Sequence, residues 1–129
     1  MTEDTIKASA SEAALLRAGL LTELGIASEK IVDLTEFPKE QPKRAYARWR
    51  RIHEQACAVL DEIGWTSSPR RVAGVTIDVA SHRVICRRAL KGQLCSYTER
   101  MDEMEGDQRQ HTIELTQDIH SLLHALQYS

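Results

Sequence analysis

Apolar positions recur every three to four residues along most of this chain, and the runs break at glycine, proline and serine. The first run starts at Ser9 or Ser11 and continues through Ala13, Ala14, Leu16, Leu20, Leu21 and Leu24. Ser9 can cap it, with Glu12 three residues on to complete a capping box. Gly25 stands where a C′ glycine ends a helix. The pattern therefore predicts a first helix over residues 9–24. After it, Ile31, Val32, Leu34 and Phe37 suggest no more than a short helical turn before Pro38 and Pro42.

The second run is the clearest. Ala45, Tyr46, Trp49, Ile52, Ala56, Val59, Leu60 and Ile63 fall on one face over residues 42–63. At about 100° per residue they form a stripe of roughly 140°. Pro42 fits the first turn and Gly64 the C-terminus. Beyond the loop at Ser67, Ser68 and Pro69, Val75 and Ile77 alternate with Thr76 and Asp78, so the region near 72–77 reads as extended. A hairpin returning through Val84 to Cys86 is disfavoured, because Ser81-His82 lacks the residues that accept positive φ.

Cys86, Ala89, Leu90, Gln93, Leu94, Tyr97, Met101 and Met104 instead define a third helix over residues 79–105, capped by Asp78 or Ser81. A fourth, over 107–127, carries Leu115, Ile119, Leu122, Leu123 and Leu126. The break between the two falls at Gly106, or begins earlier, near Asp102. Each helix has an apolar stripe and a wet face. The expectation is an all-α bundle of about four amphipathic helices forming a single helical domain over residues 1–129.

Composition agrees. Apolar residues are 42% and charged residues 28%, the mix of an ordinary globular protein. Aromatics are only 5%, against a β-sandwich rich in aromatic pairs. No apolar run reaches the roughly 18 residues of a membrane span. Cys57, Cys86 and Cys95 include no C-x-x-C pair, which points to reduced thiols and a cytoplasmic location. On a helical wheel Cys86 joins the stripe of the third helix and Cys95 lies opposite.

Charge changes the picture more. The net charge of −2 hides a division. Residues 1–40 carry four basic and eight acidic side chains, residues 41–100 twelve and five, and residues 101–129 one and six. Lys43, Arg44, Arg48, Arg50 and Arg51 crowd the first half of the second helix, with Arg44, Arg48 and Arg51 along one flank. Cations near a helix N-terminus oppose its dipole, at a few tenths of a kcal/mol each. Such a cluster suits an acidic partner. That partner could be the chain's own Asp102, Glu103, Glu105 and Asp107, another protein, or a phosphate backbone. Most charge runs are simply solvated, and the pI near 6.2 counts against a general nucleic-acid binder.

His120 and His124 stand one helical turn apart, a spacing that can hold a metal, with His53 as a third ligand across the bundle. The wheel, however, turns His120 and His124 toward water. No nucleophile elbow, phosphate loop or dinucleotide fingerprint is present, so no catalytic residue and no cofactor is assigned. The leading expectation is a non-enzymatic interaction or regulatory protein that works through helix faces as a homo-oligomer, with the Ala- and Leu-rich first helix as one self-association surface. A nucleic-acid-binding regulator and a histidine metal protein are the alternatives.

Overall fold

The computed structural model describes residues 5–36, 43–66 and 75–128. Six elements follow in order: β1 (Thr5–Ala8), α1 (Ala10–Glu36), α2 (Lys43–Ile63), β2 (Val75–Asp78), α3 (Val79–Met101) and α4 (Gly106–Tyr128). The all-α bundle is confirmed, with a two-stranded antiparallel pair at one end.

The ends of the helices form for local reasons. At α1 the capping box is made: the Glu12 amide donates to Ser9 Oγ, and Glu12 Oε1 accepts from the Ser9 amide at 3.0 Å. Gly64 ends α2 at φ 97°, a conformation that strains other residues, and its N–H donates to the Leu60 carbonyl. Trp65 follows it and turns back along the helix. It stays half exposed, and its indole N–H donates to Asp61. Asp78 caps α3 by accepting from the Ser81 amide and hydroxyl.

Glu62 fastens the end of α2 to the start of α3. One of its carboxylate oxygens accepts from the Asp78 amide at 2.9 Å, and the other meets His82 Nε2 at 3.1 Å.

Arg17 packs α1 against the end of α2, so these two helices run antiparallel. Gly19 faces Ala89 and Glu23 reaches Gly92, so α1 and α3 run in the same direction. The α1–α3 pair forms the centre of the bundle. α2 covers one side of it and α4 the other. Leu16, Leu20, Leu60, Ile63, Ile85, Leu90, Ile119 and Leu126 fill the core between them, and Ile77 of β2 closes its end. Among the described residues no helix is long and apolar enough to cross a membrane.

Two helix boundaries need correction, and the expected extended segment gains a partner. The first helix does not stop at residue 24. Gly25 keeps a helical conformation and α1 continues to Glu36. A mid-helix glycine costs only about 1 kcal/mol, and the next turns bury Ala27 and Leu34. The third helix ends at Met101, with Asp102 as its C-cap, and Gly106 at φ 61° opens α4, so α3 and α4 form a tight hairpin. The extended segment is β2, and its partner is β1, which pairs Ile6 with Ile77 and Ala8 with Val75. Val72, Ala73 and Gly74 of the expected segment lie outside the described residues, as does Pro42.

Candidate functional site

α2 buries its second half and wets its first. Ile52, Ala56, Val59, Leu60 and Ile63 are buried, whereas Ala45 and Trp49 are only partly covered and Tyr46 is exposed. The first turns therefore project past the core, and they carry the basic cluster. Lys43 opens the helix. Arg44, Arg48, Arg50 and Arg51 are exposed.

Arg50 pairs with Glu54 at 3.6 Å in full solvent, a contact of little energy. Its guanidinium also sits 5.9 Å from the Tyr46 ring centre, and that of Arg48 sits 5.8 Å from the ring of Trp49. Arg44, Arg48 and Arg51 form no ion pair with any described residue.

The acidic hairpin does not neutralise this face. Asp102, Glu103, Glu105 and Asp107 are all exposed and likewise form no ion pair among the described residues. The helix directions place the hairpin and the start of α2 at the same end of the bundle. They flank opposite sides of the α1–α3 pair, which keeps the two charged surfaces apart.

Beneath the basic face, three helices meet through one cation. Arg88 of α3 lies 5.5 Å from the Trp49 ring, and its Nε donates to Glu23 Oε2 of α1 at 2.7 Å. Glu23 is only 7% exposed. Arg88 is therefore charge-compensated. Arg70 and Arg71 lie outside the described residues.

Sequence reasoning missed the two buried charges of α1, Arg17 and Glu23. The signal was present, since both sit inside the recurrence Ala13, Leu16, Leu20, Ala27, where an ionic side chain needs a partner. Beside Glu23, a cleft of about 280 Å³ opens between α1 and α3.

The histidines are not brought together. His53 is half-buried on α2, with Nδ1 3.8 Å from Cys57 Sγ. His120 and His124 are exposed on α4, across the central helix pair. Among the described residues no group of three His, Cys, Asp or Glu side chains is placed to hold a metal. The expected third ligand fails because α2 and α4 share no extended interface.

The Ala and Leu stripe of α1 is divided, with Ala14 and Leu21 exposed. Ala13, Leu16 and Leu20 are consumed within the chain.

Cys95 is exposed and Cys86 buried, as the wheel indicated. Burial, and secondarily the Glu62 carboxylate, push the Cys86 thiol from 9.0 up to about 12. In the unfolded chain this thiol ionises near 9, while in the native protein it stays neutral, so stability falls as pH rises from about 9 toward 12. Cys86→Ala is expected to flatten that fall by up to about 1.4 kcal/mol per pH unit. Urea melts of both proteins at pH 8, 9.5 and 10.5 check it. Identical slopes would show that Cys86 is not shielded.

No protein family, curated protein or solved structure matches the chain. Its surfaces must supply the functional argument.

Proposed function

We propose that this chain is a non-enzymatic interaction protein that works through helix faces as a homo-oligomer. In this reading the basic face of α2 on one copy meets the acidic α3–α4 hairpin of another. One observation carries it: Arg44, Arg48 and Arg51 on one side, and Asp102, Glu103, Glu105 and Asp107 on the other, are exposed and unpaired among the described residues of the chain. Each surface has the charge the other lacks. The three free thiols support a reducing compartment, the cytoplasm.

Exposed ion pairs contribute only about 0.2–1 kcal/mol each, and salt at 0.1 M screens beyond about 10 Å. Self-association is thus expected at low ionic strength and lost at several hundred millimolar salt. Light scattering should show Arg48→Glu/Arg51→Glu as a monomer and Asp102→Lys/Glu105→Lys as a monomer. A mixture of the two should associate again, because each supplies the charge the other has lost. A monomeric wild type at every salt concentration would overturn the proposal.

The stacking of Arg48 on Trp49 and of Arg50 on exposed Tyr46 favours a second reading, single-stranded nucleic acid. The hairpin variant separates the two. Asp102→Lys/Glu105→Lys abolishes self-association but strengthens nucleic-acid binding.

A further inference from the structure

The cleft between α1 and α3 has the polarity of a small-molecule site. It stays open beside Gly92, which lines it and has no side chain to fill it. Thr22 on the same wall turns its hydroxyl back to the Ala18 carbonyl of its own helix. The volume of about 280 Å³ would hold a molecule of a few to a dozen heavy atoms.

The inner wall presents an acceptor. Glu23 is nine-tenths buried, and Arg88 engages only its Oε2. Oε1 accepts no hydrogen bond from any described residue and lies 3.5 Å from the position a Cβ on Gly92 would take. An ionised carboxylate oxygen has room for two donors, and this one opens onto the cleft, where a ligand donor can take the place of water.

The outer wall presents donors. Arg100 Nη2 donates to Ser96 Oγ at 2.8 Å, and both residues line the cleft. The Ser96 hydroxyl is thereby an acceptor toward Arg100, with its own proton left for a ligand. The remaining guanidinium N–H groups of Arg100 are also available. Ser96 lies one helical turn beyond Gly92, so the donors stand about 6 Å from the Glu23 acceptor along the helix axis. Arg88 already compensates Glu23, whereas Arg100 has no acidic partner among the described residues.

We propose that this cleft binds a small zwitterion whose ammonium group reaches Glu23 Oε1 and whose carboxylate, one helical turn away, reaches Ser96 and Arg100. With a hydrogen bond of about 3 Å at each end, the spacing fits a small amino acid or a dipeptide.

The test uses the full chain and ¹H–¹⁵N spectra, with 4-aminobutyrate and glycylglycine as probes. Saturable shifts are expected at the amides of Thr22, Gly92 and Ser96. Butyrate lacks the ammonium group and butylamine lacks the carboxylate, so each should bind at least tenfold more weakly. Arg100→Gln, at an exposed position, should abolish binding while the rest of the spectrum persists. Gly92→Leu should do the same by filling the cleft from the exposed side of α3. The proposal is overturned if neither zwitterion gives a saturable shift, if butyrate or butylamine binds equally well, or if both variants bind like wild type.

Discussion

Replacing Gly19 by Ala is expected to destabilise the protein, although alanine is the better helix former. A Cβ at this position would lie 2.6 Å from the carbonyl oxygen of Ala89 and 2.9 Å from its carbonyl carbon. Both obstacles are backbone atoms at the place where α1 crosses α3, so no rotamer change relieves them and the helices must separate. Overpacking of this kind costs up to about 3 kcal/mol. The gain in helix propensity returns about 1 kcal/mol, leaving a loss of about 2 kcal/mol. For a chain of this size the melting temperature should fall by about 8 °C.

Gly25, six residues further along the same helix, is the control. A Cβ there meets nothing within 4 Å. Gly25→Ala should therefore stabilise by about 0.5–1 kcal/mol through propensity alone. Thermal melts of the two variants must move in opposite directions. A rise for Gly19→Ala would mean that α1 and α3 do not approach this closely.

The second large effect is expected at Arg17. This side chain is 8% exposed, and its Nε and Nη2 donate to the carbonyls of Gly64 and Ile63 at 2.8 and 3.2 Å. Those carbonyls close α2, where the helix dipole gathers about half a negative charge. The buried cation thus satisfies two peptide groups and neutralises the helix end that it holds against α1. Arg17→Met keeps the aliphatic stem and removes the fork, so packing is largely preserved and the bonds are lost. Charge-assisted hydrogen bonds contribute about 1.5–3 kcal/mol each, which sets the expected loss at about 3 kcal/mol. Arg17→Lys should recover only part of it, since an ammonium group cannot reproduce the planar fork. Urea unfolding should show a lower midpoint with an unchanged slope. Wild-type stability in Arg17→Met would remove the helix end from the account.

Much of this fold is legible in the hydrophobic recurrence, and the misses have definite causes. Leu20, Leu24, Ala27, Ile31 and Leu34 continue the three-and-four spacing straight through Gly25. The periodicity carried more weight there than the glycine did, because glycine ends a helix only when it takes positive φ and nothing beyond it has a face to bury. At Gly64 both conditions held, and the helix ended where expected.

β1 was missed because four residues with two apolar positions give no periodicity. Its existence depends on Ile77 and Val75, which lie far along the chain. For the candidate site, the wheel placed the basic face and the outward histidines, but it could not say which cations were matched. Arg88 and Arg48 look alike in sequence. One finds Glu23 on a neighbouring helix and the other, among the described residues, finds only Trp49, a difference made by tertiary placement. Nor does any recurrence reveal the α1–α3 cleft, which opens beside the Gly19–Ala89 crossing, where Gly92 leaves space next to Glu23.

The pairing of β1 with β2 has a consequence for the order of assembly. Helical hairpins such as α1–α2 and α3–α4 join near neighbours and close quickly. The two strands instead join residues separated by the whole of α1 and α2, and the entropy of closing so long a loop is offset only once those helices hold its ends together. The strand pair and the α1–α3 contact, which joins Glu23 to Arg88, are therefore the non-local parts of the topology, and both are expected to form after the two helical hairpins.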